Sequence, residues 1–172
     1  MASSRTLLLL RHAKSSWADP GMDDFDRPLN GRGRRAVRAI ARMLAEADAR
    51  PALVLCSPAR RTRETLEGVR PGLAGEPEVR FDRALYLADA DRLGDIVRGL
   101  PDVAQAMLVG HNPGLHDLAR ALAGAGDPAL RRRLGDAFPT GALATIAFAG
   151  DWRDARDGTG RLVAYVAPRE LK

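Results

Sequence analysis

Leu7-Leu8-Leu9-Leu10-Arg11-His12 decides how the rest of the 172-residue chain is read. The unbroken leucine run is the pattern of a strand buried on both faces of a parallel sheet. It stops abruptly on an arginine and a histidine. The pattern recurs twice. Residues 52–56 form a second apolar run, followed by Ser57-Pro58-Ala59-Arg60-Arg61, and residues 105–109 form a third, followed by Gly110-His111-Asn112-Pro113. The stretches between the runs carry helical periodicity. In residues 31–49, Val37, Ile40, Ala41, Leu44 and Ala47 share one face, while Arg35, Arg38 and Arg42 lie on the other as a solvated surface.

Further elements extend the alternation. Ser57 at the N-cap and Pro58 at the first helical position predict a helix to about residue 68. A strand is expected at 79–81, helices at 91–100, 113–122 and 128–134, and closing strands at 142–148 and 162–166. Strands alternating with helices imply an α/β fold with a largely parallel central sheet, expected as one domain over residues 1–172. Residues 11–30 are polar, carry Pro20, Gly21 and Pro28, and read as a long functional loop or lid.

Composition narrows the class. The chain is 45% hydrophobic and 28% charged, as in soluble globular proteins, and its 5% aromatic content requires an aliphatic core. The net charge of +5 favours anionic partners in general. All the basic residues except Lys14 and Lys172 are arginine in a chain equally rich in alanine, so compositional bias accounts for much of that charge. Nucleic acid is not expected as a partner, because Arg131-Arg132-Arg133 is accompanied by no aromatic platform. The apolar run ending at Leu10 is too short to span a membrane and precedes no signal-peptide cleavage pattern. With Cys56 as the single cysteine, no disulfide forms within the chain. A cytoplasmic monomer is expected.

In open parallel sheets the ligand site lies beyond the carboxyl ends of the strands. Three such ends deliver Arg11-His12, Arg61 and His111-Asn112, and two of the chain's three histidines sit there. The residue types suit phosphoryl chemistry. A guanidinium offers a fork of donors matched to phosphoryl oxygens. A neutral imidazole can attack phosphorus, and neighbouring arginines disfavour its protonated form. A hydrogen bond to a backbone carbonyl is expected to fix the other ring nitrogen of His12, and His111 is expected to donate to a phosphoryl oxygen.

Ordered motifs point further. LLLLRHAKSSW at 7–17 resembles the signature of the histidine phosphatase superfamily (branch 1). SPARRTRET at 57–65 resembles its second arginine motif, and GHNPGL at 110–115 its second histidine motif. FPTGALATIAF at 138–148 resembles the SixA-type phosphohistidine phosphatases in particular, and RPLNGRG at 27–33 extends the likeness over nearly the whole chain. The resemblance implies a three-layer α/β/α sandwich of the phosphoglycerate mutase-like kind, with no metal or organic cofactor. It implies a nucleophile at His12, phosphate binding by Arg11, Arg61 and His111, and a supporting role for Asn112. Its spacing selects Arg61 over Arg60.

One departure bears on substrate. Sugar-phosphate members carry a glutamate acid after the third strand, where this chain reads Ala84-Leu85-Tyr86-Leu87. Asp89 or Asp91 are the candidate substitutes, with capping of the next helix as the competing role. An alkoxide leaving group needs a proton, whereas the N–P bond of phosphohistidine is intrinsically labile. The expected substrate is therefore a phosphohistidine-bearing protein, such as a phosphotransfer domain or a sugar-transport relay protein. The alternatives are a small-molecule phosphomonoesterase and a non-catalytic binding module. A cysteine phosphatase is excluded, since that chemistry needs arginine six residues after the cysteine and Thr62 stands there. His111 and His116 are five apart and do not make a helical metal pair.

Overall fold

The computed structural model describes residues 4–171. Seven strands form one sheet: β1 (Arg5–Arg11), β2 (Leu53–Cys56), β3 (Glu78–Phe81), β4 (Gln105–Gly110), β5 (Ala123–Gly126), β6 (Leu143–Phe148) and β7 (Gly160–Val166). Their order is β3-β2-β4-β1-β6-β7-β5. All run parallel except β6, which is antiparallel to both its neighbours. Five helices cover the sheet: α1 (Gly31–Glu46), α2 (Arg60–Val69), α3 (Ala90–Arg98), α4 (Gly114–Leu122) and α5 (Pro128–Asp136).

Alternation along the strands explains the layering. Side chains of a strand point to opposite faces in turn. Leu7 and Leu9 enter a core with Leu53, Leu55, Leu108 and residues of α3, α4 and α5. Leu8 and Leu10 enter another with Val54, Cys56, Met107, Val109 and residues of α1 and α2. The unbroken leucine run thus feeds both layers of an α/β/α sandwich. No helix among the described residues is long and apolar enough to cross a membrane.

Two expectations need correction. The helix after β2 begins at Arg60 with Ala59 at its N-cap and no side-chain cap bond. Ser57 stands too early to cap it: its hydroxyl accepts from Ala59 N at 3.4 Å, ahead of the helix, and lies 2.7 Å from His111 Nε2. The edge strand β5 was not expected: its Ala-Gly-Ala-Gly sequence carries no apolar period, and it joins the sheet only by pairing with β7.

The loop of residues 12–30 is ordered by local chemistry. Asn30 caps α1, its Oδ1 accepting from Gly33 N at 2.9 Å, and its own N–H donates to Lys14 O at 3.0 Å. A Cβ at Gly33 would stand 2.2 Å from Lys14 O, so only glycine allows α1 to start this close to the loop. Leu29 N donates to Glu64 Oε1 at 2.8 Å, fastening the loop to α2.

Candidate active site

The carboxyl ends of β1, β2 and β4 bring Arg11, His12, Arg61 and His111 together. The two imidazoles lie 5.5 Å apart between centroids. His12, Arg61 and His111 are buried, and Arg11 is partly so. His12 Nδ1 is 2.8 Å from Ala13 O, so Nδ1 carries the proton and donates. Its Nε2 therefore keeps the lone pair. Thr65 holds this turn in place: its hydroxyl accepts from Ala13 N at 2.9 Å and donates to Arg61 O at 2.6 Å. One side chain of α2 thus ties the histidine turn to the helix that carries Arg61.

His111 is held on both nitrogens. Arg61 Nη2 lies 3.3 Å from Nδ1, and since a guanidinium only donates, Nδ1 accepts. Nε2–H then donates to Ser57 Oγ at 2.7 Å. Both rings are neutral at pH 7. Burial, reinforced by Arg11, Arg61 and Arg27, outweighs the Ala13 hydrogen bond and lowers His12 to about 4. Burial, followed by Arg61, brings His111 to about 3.

The arginines face this pair with donors to spare. Arg11 Nη1 donates to Phe138 O at 3.2 Å. The Nε atoms of Arg11 and Arg61 are buried and make no hydrogen bond within the protein. Unpaired buried donors are costly, and anionic oxygens are the acceptors that match a guanidinium. Asn112 adjoins the site, but its amide nitrogen donates to Phe138 O at 2.8 Å, so it pins the turn that Arg11 also grips. Among the described residues, no group of three or more His, Cys, Asp or Glu is arranged to hold a metal ion.

The profile of the histidine phosphatase superfamily (branch 1) matches residues 7–86. The chain is 33% identical to a protein from Agrobacterium tumefaciens assigned as the phosphohistidine phosphatase SixA. That crystal structure superposes with a TM-score of 0.81, covering 95% of this chain and 98% of the other. An uncharacterized Mycobacterium tuberculosis protein is 36% identical over 170 residues, which cover 93% of this chain and all of the relative. An uncharacterized chloroplastic protein of Arabidopsis thaliana is 38% identical over 132 residues, 71% of this chain and 61% of that protein, less than two thirds of its length.

The chain belongs to the histidine phosphatase superfamily. Its likeness is to the SixA-type members, and the enzyme class of the superfamily is a phosphatase. For this histidine phosphatase, the candidate acids at Asp89 and Asp91 do not reach the cluster. Asp89 is exposed and caps α3 through Arg92 N at 2.9 Å, and Asp91 is an exposed residue of that helix's first turn.

The carboxylate at the site is Asp24, which sequence reasoning missed. Its Oδ2 accepts from Arg61 Nη2 at 3.0 Å and from the Tyr86 hydroxyl at 2.5 Å. Arg27 Nε donates to its Oδ1 at 3.2 Å, and its backbone oxygen accepts from Arg61 Nη1 at 2.6 Å. Burial alone would raise its pKa, but Tyr86, Arg61 and Arg27 together pull it down to about 2. Tyr86 packs edge-on against His111 with centroids 5.3 Å apart. The signal lay in residues 23–27, Asp-Asp-Phe-Asp-Arg, an acidic cluster in the loop of a chain that is basic overall.

Proposed function

We propose that the protein is a phosphohistidine phosphatase acting on partner proteins through a covalent intermediate on His12. The observation that carries this reading is the tautomer of His12. A neutral ring, with Nδ1–H held by Ala13 O, presents the Nε2 lone pair among buried arginine donors without partners. Nε2 attacks phosphorus, and the substrate nitrogen leaves in line. Water then cleaves the His12 phosphoenzyme. Arg11 and Arg61 hold the phosphoryl oxygens throughout. A bound phosphoryl dianion counters the arginines and raises the basicity of His111, so that Nδ1 takes up a proton from solvent, gives up the Arg61 contact and donates to a phosphoryl oxygen as charge develops.

The substrate class rests on leaving-group chemistry. The carboxylate beside Arg61 is ionised at neutral pH, its pKa being about 2, and has no proton to give an alkoxide. A phosphohistidine ring already protonated on its distal nitrogen leaves as neutral imidazole without such help. A phosphotransfer domain or a sugar-transport relay protein has the required chemistry, and the assignment of the Agrobacterium relative agrees. A cytoplasmic site of action goes with this reading.

Phosphate release from a phosphohistidine-bearing protein, measured beside a simple aliphatic phosphomonoester, tests it. Release from the phosphoprotein that is lost in His12→Ala is the expected result. A strong preference for the phosphomonoester would support a small-molecule phosphatase instead, and no turnover of either by wild type would support a binding module.

A further inference from the structure

Asp24 poses a problem for a site that binds phosphate. Its carboxylate sits on Arg61, whose side chain is only 3% exposed, while the Asp24 side chain is 41% exposed. An anion therefore stands at the mouth of an anion pocket, bonded to one of the cations that the pocket uses. Like charge there weakens the hold on any phosphoryl dianion. Nor is Asp24 there to supply a proton, since Tyr86, Arg61 and Arg27 keep it ionised. Nor does it rest there by chance. Three side chains converge on it from the lid, from α2 and from the segment after β3. The tyrosine that bonds it also abuts His111.

A fixed, ionised and half-open carboxylate suits a ligand that brings both an anionic group for the arginines and a donor for the acid. Asp24 Oδ2 is taken by Arg61 and Tyr86, and Oδ1 meets Arg27 through Nε at 3.2 Å and Nη2 at 3.1 Å, so a further donor reaches Oδ1 by displacing one arm of the Arg27 fork. A simple phosphoester such as p-nitrophenyl phosphate has no N–H or O–H donor next to its phosphoryl group. An N-phosphorylated imidazole has one when its ring is cationic: the N–H of the distal ring nitrogen.

We propose that Asp24 is a specificity-determining residue that accepts a hydrogen bond from this distal N–H and so selects N-phosphorylated imidazoles over phosphoesters. The inference rests on the phosphohistidine reading above and gives it a residue. The step balances without an external acid. His12 Nε2 forms the new N–P bond, the P–N bond to the substrate ring breaks, and its electron pair stays on the ring nitrogen. The distal proton stays where it was, held against Asp24, and the ring departs as neutral imidazole. Tyr86 is a positioning residue, acting through Asp24.

The test compares kcat/KM for phosphoimidazole and for p-nitrophenyl phosphate in the full chain, wild type against Asp24→Asn. Loss of a charge-assisted hydrogen bond is expected to shift the ratio of the two by about 10- to 100-fold towards the phosphoester. Tyr86→Phe is expected to shift it the same way by a smaller factor. A second probe is phosphoimidazole methylated on its distal nitrogen, which is cationic but has no N–H. Wild type is expected to lose the same factor on it, and Asp24→Asn to lose nothing more. Equal losses on both substrates in Asp24→Asn would overturn the inference and leave Asp24 as a brace for Arg61. A larger loss on the phosphoester would also overturn it, by marking a general acid. A wild type that turns over p-nitrophenyl phosphate but neither phosphoimidazole nor a phosphohistidine protein would instead overturn the phosphohistidine reading itself.

Discussion

The floor of the site and its mouth are built by different means. The floor consists of strand ends, with His12 following β1 and His111 following β4, and these strands pair in register from Thr6 with Gln105 to Arg11 with Gly110. Its side chains are fixed by short contacts to backbone and hydroxyl groups, from His12 to Ala13 and from His111 to Ser57. The mouth consists of loop. Asp24 belongs to a 3-10 turn in the lid, Tyr86 to the segment after β3, and they meet through a hydrogen bond spanning 62 positions of sequence. Trp17 lies 73% exposed on the same lid, with the Arg27 guanidinium 3.5 Å from its ring centroid. On the reading proposed above, the floor serves phosphoryl transfer to histidine whatever the substrate, and the mouth distinguishes one leaving group from another. Substitutions in the floor should therefore cost activity on all substrates, and substitutions in the mouth should cost activity selectively.

Arg61 joins the two regions, and its loss should have the largest effect. Arg61→Ala removes an oxyanion donor and also strands Asp24. It is expected to lower kcat/KM by about 10²- to 10³-fold on phosphohistidine and phosphoester alike, measured by steady-state phosphate release. A loss confined to one substrate class would move Arg61 from the floor to the mouth.

Titration of the imidazoles sharpens the account of the floor. Burial lowers His12 to about 4 and His111 to about 3, against about 6.5 for a free side chain. Ring resonances followed by NMR should thus remain those of neutral imidazole well below pH 6, and midpoints near 6.5 would contradict the account. The sign of the linkage follows. The unfolded chain binds these protons first as pH falls, so the folding stability due to neutral burial is complete above pH 6.5. It is lost progressively towards pH 4 and below.

The smallest effect is expected at Asp89. It caps α3 in solvent, so Asp89→Ala should cost about 1 kcal/mol of stability in denaturant unfolding and leave turnover within about twofold, as for surface changes away from a site. A large fall in phosphoester turnover would restore Asp89 as an acid and break the division between floor and mouth.

The same division explains what could be read from the sequence. Leu7 to Leu10 reads as a two-faced buried strand because every position is apolar. The residue after such a strand has a defined place in the sheet, which is why the sequence alone brings His12 and His111 together. Asp24 could not, because no periodicity connects a loop carboxylate with a tyrosine after β3. Tyr86 gives no acidic signal of its own, since it reaches a carboxylate through a hydroxyl. Ser57 was read as a cap because Ser-Pro before a helix is a local signal, and local signals do not register a histidine arriving from β4. β5 escaped because alternating alanine and glycine has no hydrophobic pattern.

The central claim is that His12 Nε2 takes the phosphoryl group. Rapid quenching during turnover of a phosphohistidine substrate, followed by mapping of acid-labile, base-stable phosphate on the enzyme, tests it most directly. The account predicts one phosphoryl group per chain on His12, formed within the first turnover and absent from His12→Ala. Turnover at full rate by an enzyme that never carries phosphate on His12 would contradict it.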